Sequence, residues 1–241
     1  MYRKYFKRLF AIILSSLAIV ALSPLLVPVM VILLLTGEHY VFYGQKRVGY
    51  KNYMFKIWKF ATMLKASPSL GTGSITLQND PRVFPFGRFL RKTKINELPQ
   101  LFNILLGDMS FVGPRPQMVV DFLKFPEEIQ MLIYDTVPGM TGIGSIIFRD
   151  EEKLLTACEG DKHEFYRIHI APYKGELELW YQKHLSLRTD LILIFLTAWV
   201  VIYPESQLVY SLFRDLPPMP GYLKSYFPVV NNIILEVEQS V

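Results

Sequence analysis

Asn96 and Glu97 stand side by side where a helix is expected to begin, and Arg88, Arg91 and Lys92 precede them closely. Unpaired backbone N–H groups, the positive end of a helix dipole and nearby guanidinium groups together make an anion site, and phosphate is its usual guest. A carboxylate there can also hold a divalent cation. Magnesium takes one or two carboxylates and fills its other positions with substrate phosphate and water, a role open to Glu97 with Asp108 or Asp80 near by. The same residues fit a plainer arrangement, which spacing alone favours: Asn96 as a helix cap, Glu97 on the dipole and the bases as surface charge.

A second candidate follows directly. In Gly107-Asp-Met-Ser-Phe-Val-Gly-Pro-Arg-Pro116, Arg115 is held between prolines in a stiff segment, which suits bidentate clasping of a phosphate or carboxylate. A tight connection with a solvated Arg115 is an equal alternative. Other chemistries find little support. His39, His163, His169 and His184 lack metal-ligand spacing, and the chain has no Gly-x-Ser-x-Gly, Walker loop or dinucleotide fingerprint. The single Cys158 cannot form an internal disulfide and is given no role.

The elements that must position these residues can be read from periodicity. Leu98, Leu101, Phe102 and Leu105 recur at helical spacing, so an amphipathic helix is expected from near Asn96-Glu97 to Gly107, with Pro99 in its first turn. Val112 to Pro116 and Pro138 to Gly144 read as rigid loops, and Ala66 to Ser74 as a further loop. Tyr40–Gly49 and Tyr53–Phe60 read as short strands or extended chain. Residues 150–188 look helical. Leu191 to Tyr203 is apolar but too short to be a second span, so it is a core helix or one lying in the membrane interface.

Length allows one ordinary domain plus an anchor: the chain has 241 residues, 51% of them hydrophobic. Leu9 to Leu35 carries no charge over 27 residues, which at ~1.5 Å per residue exceeds a ~30 Å hydrocarbon core. A cleaved signal peptide ending near Ala21-Leu22-Ser23 fits less well, because the apolar run continues past it. Arg3, Lys4, Lys7 and Arg8 precede the run and Lys46, Arg47 and Lys51 follow it. The positive-inside rule places both flanks in the cytoplasm. Ser23-Pro24 and Pro28 interrupt the run in its middle, where a proline bends a helix and the Ser23 hydroxyl can take up a freed backbone group. A hairpin is favoured over a kinked span. Beyond the anchor, Phe42 to Gln100 holds eleven Lys or Arg against two acids, whereas residues 121–190 hold thirteen acids and eight bases. The positive charge is therefore regional and should attract an anion.

In this order the pieces resemble the bacterial sugar transferase family, the small monotopic phosphoglycosyl transferases. Ser23-Pro24 sits at the family's helix break. Gln45-Lys-Arg-Val-Gly49, Trp58-Lys59-Phe60, Asn79-Asp80-Pro81-Arg82 and Gly87-Arg-Phe-Leu-Arg-Lys92 match its next segments. Glu97-Leu-Pro-Gln-Leu-Phe-Asn-Ile-Leu-Leu-Gly-Asp-Met-Ser-Phe-Val-Gly-Pro-Arg-Pro116 follows its signature with hardly a break, and Pro138-Gly-Met-Thr-Gly142 matches a later one.

The resemblance implies a mainly α fold with a few short strands. Residues 1–40 would form a re-entrant helix-break-helix, 41–205 a cytoplasmic catalytic domain with interfacial amphipathic helices, and 206–241 a membrane-proximal extension. It implies transfer of a sugar-1-phosphate from a UDP-sugar to polyprenyl phosphate with release of UMP, with Mg2+ as cofactor, at the cytoplasmic face of the bacterial inner membrane. Membrane lipids are expected partners, nucleic acid is not, and both a monomer and a homodimer stay open. By position, Glu97 binds the metal or supports attack. Lys59, Arg91 and Arg115 are the leading phosphate contacts, with Arg82, Asp80 and Asp108 behind them.

One departure stands out. The family's mechanism uses the Asp of an Asp-Glu pair as nucleophile, and here Asn96 holds that place; a neutral amide cannot form the same acyl phosphate. Three explanations stay open: an engineered near-isosteric replacement, a natural variant using direct transfer or another carboxylate such as Glu97, or an inactive chain. The active natural variant is preferred, since phosphoryl transfer depends mostly on positioning and charge neutralisation. The alternative is a substrate-binding membrane scaffold.

Overall fold

A computed structural model describes residues 2–67, 80–158 and 160–224. The expected loop at Ala66–Ser74 lies mostly outside the described residues, as does Asn79.

Helix α1 (Lys7–Leu35) is continuous through Pro24 and Pro28. The expected interruption at Ser23-Pro24 instead takes the form of a repaired hydrogen bond inside a helix. Pro24 has no N–H to give to the Val20 carbonyl four residues back, and Ser23 Oγ donates to that carbonyl at 2.8 Å. The helix is long and apolar enough to cross a membrane, and its most apolar stretch is mostly uncovered by protein. One stripe of it is nonetheless buried along nearly its whole length, through Ala11, Ser15, Leu26, Val29 and Leu33. Ala11 packs with Leu101 and Ile104 of α3 (Gln100–Leu106), while Leu33 packs with Phe60 and Leu90.

The start of α1 is fixed by charge. Lys7 Nζ donates to the Val112 carbonyl at 2.8 Å and to the Tyr181 hydroxyl, and it pairs with Asp190 at 3.1 Å. Arg8 donates through both terminal nitrogens to the carbonyls of Ile104 and Leu105, at 2.6 and 2.7 Å. Those carbonyls belong to the last turn of α3, the negative end of its dipole, where Ile104 also accepts from the Gly107 amide at 3.2 Å.

The extended segments after the anchor form an antiparallel hairpin of β1 (Phe42–Val48) and β2 (Met54–Phe60), in register from Phe42 opposite Phe60 to Val48 opposite Met54. Next comes α2 (Pro85–Lys92), with Pro85 in its first turn. A short 3-10 turn over Ile95–Glu97 precedes α3, which therefore begins later than its apolar periodicity predicts. Pro99 sits just ahead of α3, and Gly107 ends it with φ near 103°.

Two segments expected as rigid loops contain a parallel pair, β3 (Ser110–Val112) and β4 (Gly139–Thr141). The backbones approach so closely that a Cβ on Gly139 would lie 2.1 Å from the Gly113 nitrogen, so only glycine fits there. Between these strands lie α4 (Val119–Phe122) and α5 (Glu127–Leu132). The region expected to be helical from 150 to 188 is divided into α7 (Glu151–Ala157), α8 (Lys162–Phe165) and α9 (Ala171–Lys183), following α6 (Ile143–Ile147). Gly160, at φ near 91°, lies in the break between α7 and α8.

Helix α10 (Leu187–Ile202) starts at a Ser186 cap whose hydroxyl accepts from the Thr189 amide. It buries Leu193, Leu196 and Val200 and exposes Leu191, Phe195, Val201 and Ile202. Val209 of α11 (Leu208–Leu212), Phe213, Met219 and Leu223 of α12 (Gly221–Lys224) join the same core as α9 and α10. Residues 225–241 lie outside the described residues.

Candidate active site

A cavity of about 1110 Å³ opens between the hairpin, α2, the Ile95–Glu97 turn, the Gly113–Gln117 segment and α6–α7. Its wall also includes Ala18 and Leu22 of α1 and Ile194, Ala198 and Val201 of α10, so one space joins a cationic cluster to apolar helix faces. Lys59, Arg82, Arg91, Asn96, Glu97 and Arg115 all line it.

Glu97 is the hub. Its Oε1 accepts from Arg115 Nη2 at 2.7 Å and from Lys59 Nζ at 3.2 Å. Burial by itself would raise the Glu97 carboxyl, but the Arg115 and Lys59 charges outweigh it and hold the group well below the usual carboxylate range. Burial lowers Lys59 to about 8, against the opposing pull of Glu97. Asn103 locks this geometry from behind: its Oδ1 accepts from the Trp58 amide at 2.9 Å, and its Nδ2 donates to the Lys56 carbonyl at 2.8 Å. Helix α3 is thereby pinned to the strand that carries Lys59.

Asn96 is 6% exposed, and its Oδ1 is buried without a hydrogen-bond partner. A buried amide oxygen costs free energy unless something donates to it or coordinates it. Both described bonds of Glu97 fall on Oε1. An amide oxygen and a carboxylate lining one cavity fit a hard cation that draws its other ligands from substrate phosphate and water. No cluster of three or more His, Cys, Asp or Glu able to hold a metal occurs among the described residues. Any magnesium held here by Asn96 and Glu97 therefore needs the substrate to complete its shell.

The other expected site residues divide. Arg91 lines the cavity and pairs with Glu152 of α7 at 3.1 Å. Arg82 reaches the wall, but its guanidinium is engaged by Asp80, with Nη2 to Oδ2 at 2.6 Å and Nε to Oδ1 at 2.9 Å. Nη1 donates to the Ser67 carbonyl at 2.9 Å. Asp80 and Arg82 thus form a buried clamp on the chain. Asp108 is exposed, accepts from Asn103 Nδ2 at 3.3 Å and does not line the cavity.

Other residues at the cavity are not singled out as site residues by the sequence. Arg47, in the Gln45–Gly49 segment, is lowered to about 10 by burial and by Arg115. Lys174 is buried on the inner face of α9 and pairs with Glu151 at 2.5 Å, although its spacing suggests an exposed charge. Behind the wall, Glu178 is 2% exposed, and burial pushes its carboxyl up to about 8.

Residues 2–204 match the model of the bacterial sugar transferase family. The chain is 34% identical over 205 residues to the exopolysaccharide production protein ExoY of Sinorhizobium fredii, covering 79% of this chain and 83% of that protein. It is 37% identical over 197 residues to the UDP-glucose:undecaprenyl-phosphate glucose-1-phosphate transferase of Klebsiella pneumoniae, covering 80% of this chain and 39% of that one. With the undecaprenyl-phosphate galactose phosphotransferase of Salmonella typhimurium it shares 32% identity over 213 residues, 83% of this chain and 41% of the relative. The chain thus matches most of the length of the first relative and about two fifths of the other two. A family match from residue 2 to 204, with a relative 34% identical over most of both chains, places this chain in the bacterial sugar transferase family.

Proposed function

We propose that the protein transfers a sugar-1-phosphate from a UDP-sugar to polyprenyl phosphate, releasing UMP and starting assembly of a bacterial surface glycan. The observation that carries this reading is the shared cavity. Lys59, Arg91 and Arg115 serve anionic phosphates, and Ala18, Leu22, Ile194, Ala198 and Val201 serve an isoprenoid tail in the same space.

With Asn96 in place, the reaction runs as one direct displacement. An oxygen of polyprenyl phosphate attacks the β-phosphorus of the UDP-sugar, the bond from that phosphorus to the bridging oxygen breaks, and UMP leaves with the bridging oxygen. Glu97 orients Arg115 and Lys59 towards the reacting phosphates. The Arg115 guanidinium and the Lys59 ammonium neutralise the charge spread over the transferring group. Asn96 Oδ1 and Glu97 would hold a magnesium ion, which would supply further charge neutralisation.

Helix α1 supports the membrane placement. Its start is bonded to Val112, Tyr181 and Asp190, and beyond its other end Glu38 accepts from the Lys65 amide at 2.8 Å. Both ends thus touch the same domain, which supports a helix bent rather than broken at its prolines, dipping into the membrane from one side with its two ends at the cytoplasmic face of the inner membrane.

A second reading rests on Asn96 itself: a non-catalytic scaffold that binds the UDP-sugar and recruits later glycan enzymes. Purified protein with labelled UDP-sugar, polyprenyl phosphate and magnesium separates the two, with Asn96→Asp and Glu97→Gln compared. Lipid product from the unaltered chain supports direct transfer, whereas product from Asn96→Asp alone removes it in favour of the scaffold.

A further inference from the structure

The two walls of the cavity differ in chemistry, and the α6–α7 wall is not accounted for by phosphate binding. Ser145 lies in α6 and Arg149 in the turn that joins α6 to α7. Both line the cavity. Ser145 Oγ and Arg149 Nη1 are each buried without a hydrogen-bond partner. Buried hydroxyl and guanidinium groups are ordinarily paired, and two unpaired donors on one cavity wall point to a ligand that supplies acceptors.

The neighbouring groups define that ligand. Asp150, Glu151 and Glu152 line the same wall. Glu151 is engaged by Lys174 and Glu152 by Arg91, so these carboxylates are held in place rather than swinging free. Asp150 is paired in turn with Lys153 at 3.6 Å, so this wall is close to neutral, whereas Lys59, Arg47 and Arg115 outnumber Glu97 on the other side and make that the better place for a diphosphate. An uncharged, hydroxyl-rich group instead finds acceptors in the carboxylates and donors in Ser145 and Arg149. Tyr40 and Tyr43, which line the β1 side, offer ring surface for a base.

We infer that Ser145 and Arg149 form the subsite for the hexose ring of the UDP-sugar, donating to its ring substituents while the diphosphate lies across Lys59 and Arg115. This inference rests on the transferase reading above and adds to it the place where sugars are told apart. A site built to hydrogen-bond a given substituent rejects the analogue lacking it, because its buried donors are then left unpaired.

The test is calorimetric binding of UDP-glucose, UDP-galactose, UDP-N-acetylglucosamine and UMP to the full chain in lipid nanodiscs with magnesium. Ser145→Ala, Arg149→Gln and Arg149→Lys are compared with the unaltered protein, and thermal melting checks that each variant is folded. Ser145→Ala and Arg149→Gln are expected to weaken the best-bound UDP-sugar by about tenfold while leaving UMP affinity within about twofold, with Arg149→Lys recovering part of the loss. Parallel weakening of UMP and UDP-sugar would make this a nucleotide or phosphate contact and overturn the assignment. Unchanged affinity for every UDP-sugar would overturn it too. If the unaltered chain binds UMP but no UDP-sugar, the transferase reading itself falls, and the subsite with it.

Discussion

Arg115 and Glu97 meet at 2.7 Å through the same carboxylate oxygen that Lys59 reaches at 3.2 Å, so a single acid organises two cations from separate segments of the chain. Glu97→Gln keeps the shape and removes the charge that gathers them. Transfer should fall by about 10²–10³-fold, the scale set by loss of one preorganised electrostatic group. Measured kcat/KM for UMP release checks this, and a Gln variant within threefold of the unaltered protein would show that Glu97 does not organise the site.

The depressed Lys59 pKa sets an alkaline limit. Burial lowers it to about 8, so the ammonium is lost as the pH rises through that value, whereas in the unfolded chain it persists to about 10.5. Between those values the folded protein binds fewer protons, so Lys59 makes folding more favourable with rising pH while its attraction for phosphate disappears. The rate should decline above about pH 8, and Lys59→Arg should move that decline upward. A pH–rate profile of the two proteins is the measurement.

Lys7 and Asp190 form a buried pair at 3.1 Å that ties α1 to α10. Removing one partner strands the other charge, and the cost of breaking a buried pair is about 3–5 kcal/mol. Lys7→Met and Asp190→Asn should each lower the melting temperature in detergent, and the double variant should lose less than the sum of the two. Strict additivity would mean that the pair carries no coupling.

A cysteine placed at residue 2, in a chain with Cys158→Ser, reports on the anchor. If α1 enters and returns, Tyr2→Cys should resist a membrane-impermeant maleimide in intact cells and react once the inner membrane is permeabilised. Lys153→Cys on the domain surface should behave in the same way. Labelling of residue 2 from the periplasm contradicts a re-entrant helix.

Local signals in the sequence were strong where the chemistry is local. Leu98, Leu101, Phe102 and Leu105, followed by Gly107, mark α3, and the charge-free run from Leu9 marks α1. The β1–β2 hairpin could be read from alternation in adjacent segments. The β3–β4 pair could not: each strand is three residues long, and they meet only because Gly113 and Gly139 let distant backbones touch. The same limit applies to the site. Glu97 and Arg115 stand within one ordered signature with Asn96 just ahead of it, but the partner that occupies Arg82 becomes apparent only when Asp80 folds onto it. Lys174 and Glu178 look like solvated helix charges until α9 turns them inward. Ser145 and Arg149 carry no signal beyond a four-residue spacing.

Transfer is read out by following UMP release and lipid-linked sugar together, using the purified chain in lipid nanodiscs with magnesium, polyprenyl phosphate and a panel of UDP-sugars. One UMP should appear for each polyprenyl-diphospho-sugar formed, with one sugar clearly preferred and no UMP released when the lipid phosphate is left out. UDP-sugar binding without UMP from any member of the panel would contradict the account.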